Sequence, residues 1–291
     1  MEREEALQEL KHHVVICNCS HKVKRIVQEL HAGSHDRPLD AVLLVQDMRL
    51  WESHPEWIPE SCGGKHFFVI EGCPTEEDIL RQANISLARA AIILADPQQG
   101  DQADARSTLV AIAIERQNPQ VHTVIELLSS VNRIHLKSTK IDEIVCQGEI
   151  SEKIIAQSCI TPGIQNIFEH LLSTDEKTNQ IYLPHLPIEL KGITFRQLAR
   201  RAIRSEAPLI VCGYIKNRNK KGRIEHARRK ASYQDFSSGL GKQTPDRIAV
   251  INPRSNHHPG KDDPLTENDQ VIVISHIPPE LSKLAFHENF S

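Results

Sequence analysis

The sequence predicts an α/β fold: a doubly wound parallel sheet, a pair of crossover helices, and a small α+β lobe at the C-terminal end. Three observations predict it. Short, unbroken apolar runs recur between residues 11 and 147, as strands covered on both faces require. Amphipathic stretches with helical spacing separate them, and strand–helix alternation of this kind makes a parallel sheet with helices on both sides. Past residue 147 that alternation stops and a different pattern begins.

Taken in order, Val14-Val15-Ile16-Cys17 is the first strand. Val23, Ile26, Val27 and Leu30 then recur at helical spacing. Ala41 to Val45, Phe67 to Ile70, and Ala90 to Ala95 supply three more strands. A helix follows the polar start Asp101 to Asp104, with Leu109, Ile112 and Ala113 as its apolar positions. Val121 to Leu128 holds a fifth strand and Ile141 to Val145 a short sixth. Ile150, Ile154 and Ile155 mark a helix that Thr161-Pro162-Gly163 breaks, because Pro and Gly both oppose helix continuation. Ile164, Ile167, Phe168, Leu171 and Leu172 form a wide apolar stripe on the next helix, and that stripe needs a partner. In the last lobe, Phe195, Leu198, Ala199, Ala202 and Ile203 read as a helix, and Leu209 to Cys212 and Val271 to Ile274 as strands. The expected organisation is therefore 1–10 linker, 11–147 first lobe, 148–178 crossover helices and 179–280 second lobe. A polar insertion occupies 216–246. Its first half is basic, from Lys216 to Lys230, and reads as a solvated loop, with a phosphate or anionic-lipid site as the sharper alternative.

Composition narrows the function classes. Lys plus Arg number 35 against 38 Asp plus Glu, a net charge of −3, which argues against a nucleic-acid protein. Aromatics are 4%, so the core rests on Ile, Leu, Val and Ala. No apolar run reaches the ~18 residues a membrane span needs, and the charged start Met1-Glu2-Arg3-Glu4-Glu5 is not a secretory signal. A cytoplasmic chain is the expectation. The seven cysteines are odd in number and form no CxxC pair, so they are expected as buried thiols rather than disulfides or zinc ligands. The sixteen histidines are scattered, without HExxH spacing, and no metal site is assigned.

The first strand leads into Cys17-Asn18-Cys19-Ser20-His21-Lys22-Val23. A dinucleotide-binding Rossmann fold places GxGxxG here, its glycines permitting the turn, the approach of the pyrophosphate and close helix packing. Asn18, Ser20 and Val23 hold those three places, and none is glycine. Orthodox NAD binding is therefore not expected. Asn18 still tolerates an unusual backbone, and Ser20 as a cap would leave helix N–H groups open to an anion. His21 beside Lys22 would attract phosphate, or simply sit on a surface helix. Asp47 ends the second strand, where an acid bonds ribose hydroxyls; its alternative role is a water-facing strand-end acid. Asp96 follows the fourth strand, and Glu126 stands in an otherwise apolar fifth strand, aimed at a crevice or at a neighbouring strand. An adenine nucleotide or a cation is the ligand class these residues admit. No GxSxG elbow, Walker lysine or defensible Ser-His-Asp order is present, so catalysis is not expected.

These residues resemble the RCK domain, the regulator of potassium conductance, also described as a Trk-N plus Trk-C pair. The resemblance runs over nearly the whole chain. It is carried by His13 to Cys19, Ile70-Glu71-Gly72-Cys73-Pro74-Thr75, Ile79 to Ile85 followed by Ala88 to Ile93, and Asp104-Ala105-Arg106-Ser107-Thr108-Leu109 running to Ala113-Ile114-Glu115 and Asn118-Pro119. Glu126-Leu127-Leu128, Asn132, His135-Leu136, Asp142 to Val145, Pro162-Gly163, Asn252-Pro253 and Glu267-Asn268-Asp269 continue it. The resemblance implies a ligand-responsive gating module of a potassium channel. It implies dimers through the Ile164–Leu172 stripe, an octameric ring below a tetrameric pore, and a position at the inner face of the membrane. The opening segment would be the linker after a pore helix. The pore itself is outside the sequence, so the chain reads as a truncated form, an internal-start product or a separate subunit. Two departures weigh against calcium gating of the familiar kind: Cys73 stands where the family has a turn acid, and Leu128 where calcium-gated members carry a second carboxylate. The alternatives are a degenerate NAD-binding oxidoreductase and a ligand-free assembly scaffold.

Overall fold

In the computed structural model β1 (Val14–Cys17) is buried along its whole length, and the first lobe is assembled around it. The structure describes residues 7–33, 39–59, 66–136, 139–173, 178–205, 207–217, 247–253 and 264–286; most of the polar insertion, from residue 218 onward, lies outside them. The chain divides into two compact units, residues 1–165 and 166–291.

In the first unit, β1 is joined by β2 (Ala41–Val45), β3 (Phe67–Glu71), β4 (Ala90–Ile93), β5 (His122–Leu127) and β6 (Glu143–Cys146). All pair in parallel, in the order β3-β2-β1-β4-β5-β6. The chain winds outward from β1 in both directions, so β1 and β4 are neighbours whose following helices leave toward opposite faces. Alternation decides which side chains go where. Val15, Cys17, Val42, Leu44, Phe68, Ile93, Ile125 and Leu127 share one core, with Leu80 of α3 (Glu77–Gln82) and Val110, Ala111 and Ile114 of α4 (Ala103–Gln117). Val14, Ile16, Leu43, Val45 and Phe67 share the other, with Val23 and Val27 of α1 (Lys22–Ala32) and Trp51 of α2 (Met48–Glu52). Each such fully buried aliphatic side chain contributes about 1.5–3 kcal/mol.

Two expectations, one about a helix face and one about the cysteines, are corrected. Helix α4 forms, yet Leu109 and Ile112 lie on its outer side; the buried stripe is Asp104, Ser107, Val110, Ala111 and Ile114. Small and polar residues on that stripe let the helix sit close to the sheet, and they masked it from a hydrophobicity count. The cysteines are also less uniformly buried than expected. Cys17 and Cys146 are buried, Cys19, Cys73 and Cys212 are half-buried and Cys159 is exposed.

Helices α5 (Gln147–Ile160) and α6 (Ile164–Leu172) are joined through Gly163, whose φ of +91° suits a residue without Cβ. Neither helix buries a residue; Ile167, Phe168 and Leu172 are exposed, with Ile164 and Leu171 half-buried.

The second unit is an antiparallel sheet of β7 (Gln180–Tyr182), β8 (Leu209–Asn217), β9 (Arg247–Ile251) and β10 (Gln270–Ser275), ordered β7-β10-β8-β9. Helix α7 (Phe195–Arg204) covers it. A capping box starts that helix: Thr194 Oγ accepts from Gln197 N and the Gln197 side chain accepts from Thr194 N. Leu198 and Ala202 are buried against Tyr214, Val271 and Val273, while Ile203, expected on that face, is exposed.

Candidate functional site

In a doubly wound sheet the crevice opens where the winding reverses, at the carboxyl ends of the strands. Here that place lies between β1 and β4. Asn18, just past β1, has φ +71° and so makes the turn expected of it. Its Nδ2 donates to Leu94 O at 2.8 Å, tying the end of β1 to the end of β4. Ser20 is buried one residue before the helix N-cap, His21, which makes no side-chain capping bond. Ser20 Oγ accepts from Lys22 N at 3.2 Å and the Ser20 carbonyl accepts from Val23 N at 3.1 Å. Ser20 therefore uses two first-turn N–H groups that the sequence left open to an anion. Val23, at the third glycine place, is fully buried and packs in the core.

Glu126 sits on β5 beside this crevice and is 9% exposed. Its Oε2 accepts from Ala95 N at 3.2 Å, and its Oε1 accepts from Lys22 Nζ at 2.5 Å. The ammonium comes from the first turn of α1, so the pair crosses above the β1–β4 gap. A carboxylate this buried needs compensation, and Lys22 supplies it.

A chain of hydrogen bonds closes the outer side. Gln46 Nε2 donates to Asn18 Oδ1 at 3.2 Å, and Arg106 of α4 donates to Gln46 Oε1 and Gln99 Oε1, each at 2.9 Å. Gln99 Nε2 donates to Asp96 Oδ2 at 3.1 Å. Asp96 is thus bound into the rim. Asp47 is exposed and its carboxylate accepts from Arg49 N at 2.9 Å, capping α2. His21 is exposed at the start of α1. The Cys19 thiol is pushed up first by burial and then by the Asp96 charge, with a smaller push from Asp47, so both acids lie within electrostatic reach of the turn. Burial alone pushes Cys17 up to about 12.

The structure therefore brings together Asn18, Ser20, Asp96 and Glu126, while Asp47 and His21 are exposed beside them, at the starts of α2 and α1. Lys22, Gln46 and Arg106 were not among the candidate ligand residues, although Lys22 was noted beside His21. Lys22 lies in the same turn as Asn18, but no spacing rule pairs it with a residue 104 positions away. Past β3, Gly72 turns the chain and Cys73 Sγ lies 3.1 Å from Thr75 Oγ, where the resembled family has an acid. Leu128, where a second acid would stand, is exposed, and its N–H donates to Asp104 at 2.8 Å. Among the described residues no group of three metal-ligating side chains converges, and no helix is long and apolar enough to cross a membrane.

Residues 9–125 match the family model described as the calcium-activated potassium channel slowpoke-like RCK domain. The calcium-gated potassium channel TvoK of Thermoplasma volcanium is 25% identical over 171 residues, 57% of this chain and 45% of that protein. The ion channel POLLUX of Lotus japonicus is 23% identical over 194 residues, 65% of this chain and 21% of that protein. The calcium-activated potassium channel slowpoke of Drosophila melanogaster is 24% identical over 180 residues, 56% of this chain and 14% of that protein. The chain thus spans less than half the length of these relatives. Among solved structures, the human SLO3 gating ring superposes with a TM-score of 0.60 over 96% of this chain and 47% of that one, at 16% identity, a likeness of fold.

Proposed function

We propose that the chain is a cytosolic regulatory module of a potassium channel, controlling K⁺ transport, on the ground that residues 9–125 match the slowpoke-like RCK domain family. The observation that carries the reading is the family match, which runs from before β1 into β5 and ends one residue short of Glu126. The relatives' names support it: each is an ion channel, two of them potassium channels tied to calcium, and none is an enzyme. In this reading 1–10 is the linker from a pore helix, 11–147 the first lobe, 148–178 the crossover helices and 179–280 the second lobe. The apolar stripe of α6 pairs two copies, and pairs assemble into an octameric ring at the inner face of the membrane. A ligand regulates the ring by binding one conformation better than the other, since only differential affinity shifts such an equilibrium.

The test joins the pore of a channel such as TvoK to this chain and measures K⁺ flux into vesicles while Ca²⁺, Mg²⁺, AMP, ADP, ATP, NAD and NADH are added singly. A flux that responds to a member of the panel, and stops responding when this chain is removed, is the expected result. A chimera that assembles and conducts like the bare pore under every addition refutes the proposal.

A further inference from the structure

A phosphate entering the crevice of a doubly wound sheet needs donors at the start of the first helix and along the ends of the central strands. In this chain those donors are committed. Lys22 N and Val23 N bond to Ser20, Ala95 N bonds to Glu126 Oε2, and Lys22 Nζ bonds to Glu126 Oε1. The Lys22 and Glu126 side chains are 19% and 11% exposed, so water screens the pair little. Below the pair, the Asn18–Leu94 bond crosses the same gap.

We propose that Glu126 is a built-in occupant of the crevice, an autoinhibitory contact that holds the Lys22 ammonium and the Ala95 N–H and excludes nucleoside phosphates. Its carboxylate repels an incoming phosphate and at the same time withholds the two donors that phosphate would use. Asn18, Ser20 and Val23 stand where glycines would allow backbone approach, and the Lys22–Glu126 pair neutralises the ammonium beside them. Regulation of this chain by a nucleotide in the crevice would require the pair to open first. The inference rests on the crevice alone and stands or falls apart from the potassium-channel reading.

The experiment titrates ADP into the full chain, wild type and Glu126→Gln, by calorimetry and thermal shift. Glutamine keeps the shape and an acceptor for Ala95 N but releases Lys22. The expected result is no saturable binding to wild type, binding at least about tenfold tighter in Glu126→Gln, and loss of that gain in Glu126→Gln combined with Lys22→Met. Equal binding by wild type and Glu126→Gln overturns the proposal, and so does a folded Glu126→Gln that gains nothing. Amine acylation of wild type, read by mass spectrometry, needs no folded variant. Lys22 should react more slowly than the exposed Lys153, at a rate that saturating ADP leaves unchanged. ADP protection of Lys22 in wild type overturns the proposal as well.

Discussion

Asp104 offers the sharpest test of how the first lobe is held. It is 3% exposed at the start of α4, and its carboxylate accepts three hydrogen bonds: from Leu128 N at 2.8 Å, Ser129 N at 3.0 Å and Asn132 Nδ2 at 2.6 Å. One side chain thus joins the helix to the turn after β5. A hydrogen bond to a charged group contributes about 1.5–3 kcal/mol, which bounds the three together at ~4.5–9 kcal/mol. The upper end does not apply, because Leu128 and Ser129 lie at the surface and water can reach their N–H groups once the carboxylate is gone. Helix-dipole stabilisation at the first turn adds ~0.3–1 kcal/mol. Asp104→Ala should therefore cost about 5 kcal/mol of first-lobe stability. Asp104→Asn should cost about 2 kcal/mol, since its amide nitrogen points a donor at a donor. Urea unfolding followed by tryptophan fluorescence isolates this lobe, because Trp51 and Trp57 are the chain's two tryptophans and both lie in residues 1–165. A loss below about 1 kcal/mol for Asp104→Ala, or no loss for Asp104→Asn, would refute the reasoning.

Two further outcomes are expected. His13 is fully buried, with Nε2 2.8 Å from Ala83 O and Nδ1 without a partner; burial depresses its pKa below 6.5, against weaker raising effects from the Ala83 carbonyl and Asp40. The unfolded chain then binds the extra proton first, so stability is full above pH 6.5 and falls as pH drops toward the folded pKa, at up to about 1.4 kcal/mol per pH unit. His13→Gln should flatten that slope in urea midpoints measured from pH 7 to 5, and an unchanged slope counts against His13 as its source. Gly213 of β8 has no room for a Cβ, which would stand 2.1 Å from Val250 O on β9. Gly213→Ala should destabilise the second lobe by about 1–3 kcal/mol, read from tyrosine fluorescence, since Tyr182 and Tyr214 lie there; a melting temperature equal to wild type would show that the strands yield freely.

The doubly wound sheet was legible because β1, β2, β3 and β5 are long enough in Val, Ile, Leu and Phe to announce buried strands, and the RCK resemblance agreed with the order they take. The face of α4 was not, because Asp104, Ser107 and Ala111 are buried for closeness and hydrogen bonding while Leu109 and Ile112 stay outside. At the crevice, the sequence pointed to Asn18, Ser20 and Glu126 through a motif and an out-of-place charge. It could not reveal that Ser20 consumes the N–H groups it was expected to leave open, nor that Lys22 reaches Glu126. Such pairings depend on side-chain reach across three strands, and nothing local in the chain encodes them. Asp47 stands at the strand end as the sequence places it, and its capping of α2 is a local contact the sequence reading did not include.

Native mass spectrometry of the purified chain tests the central claim most directly, since one spectrum counts copies and detects a retained nucleotide. The account predicts even multiples of the 32.9 kDa chain, free of dinucleotide, collapsing toward single copies when Phe168 and Leu172 on the exposed stripe of α6 are changed to Asp. A single 32.9 kDa copy carrying NAD, unaffected by those substitutions, would contradict it.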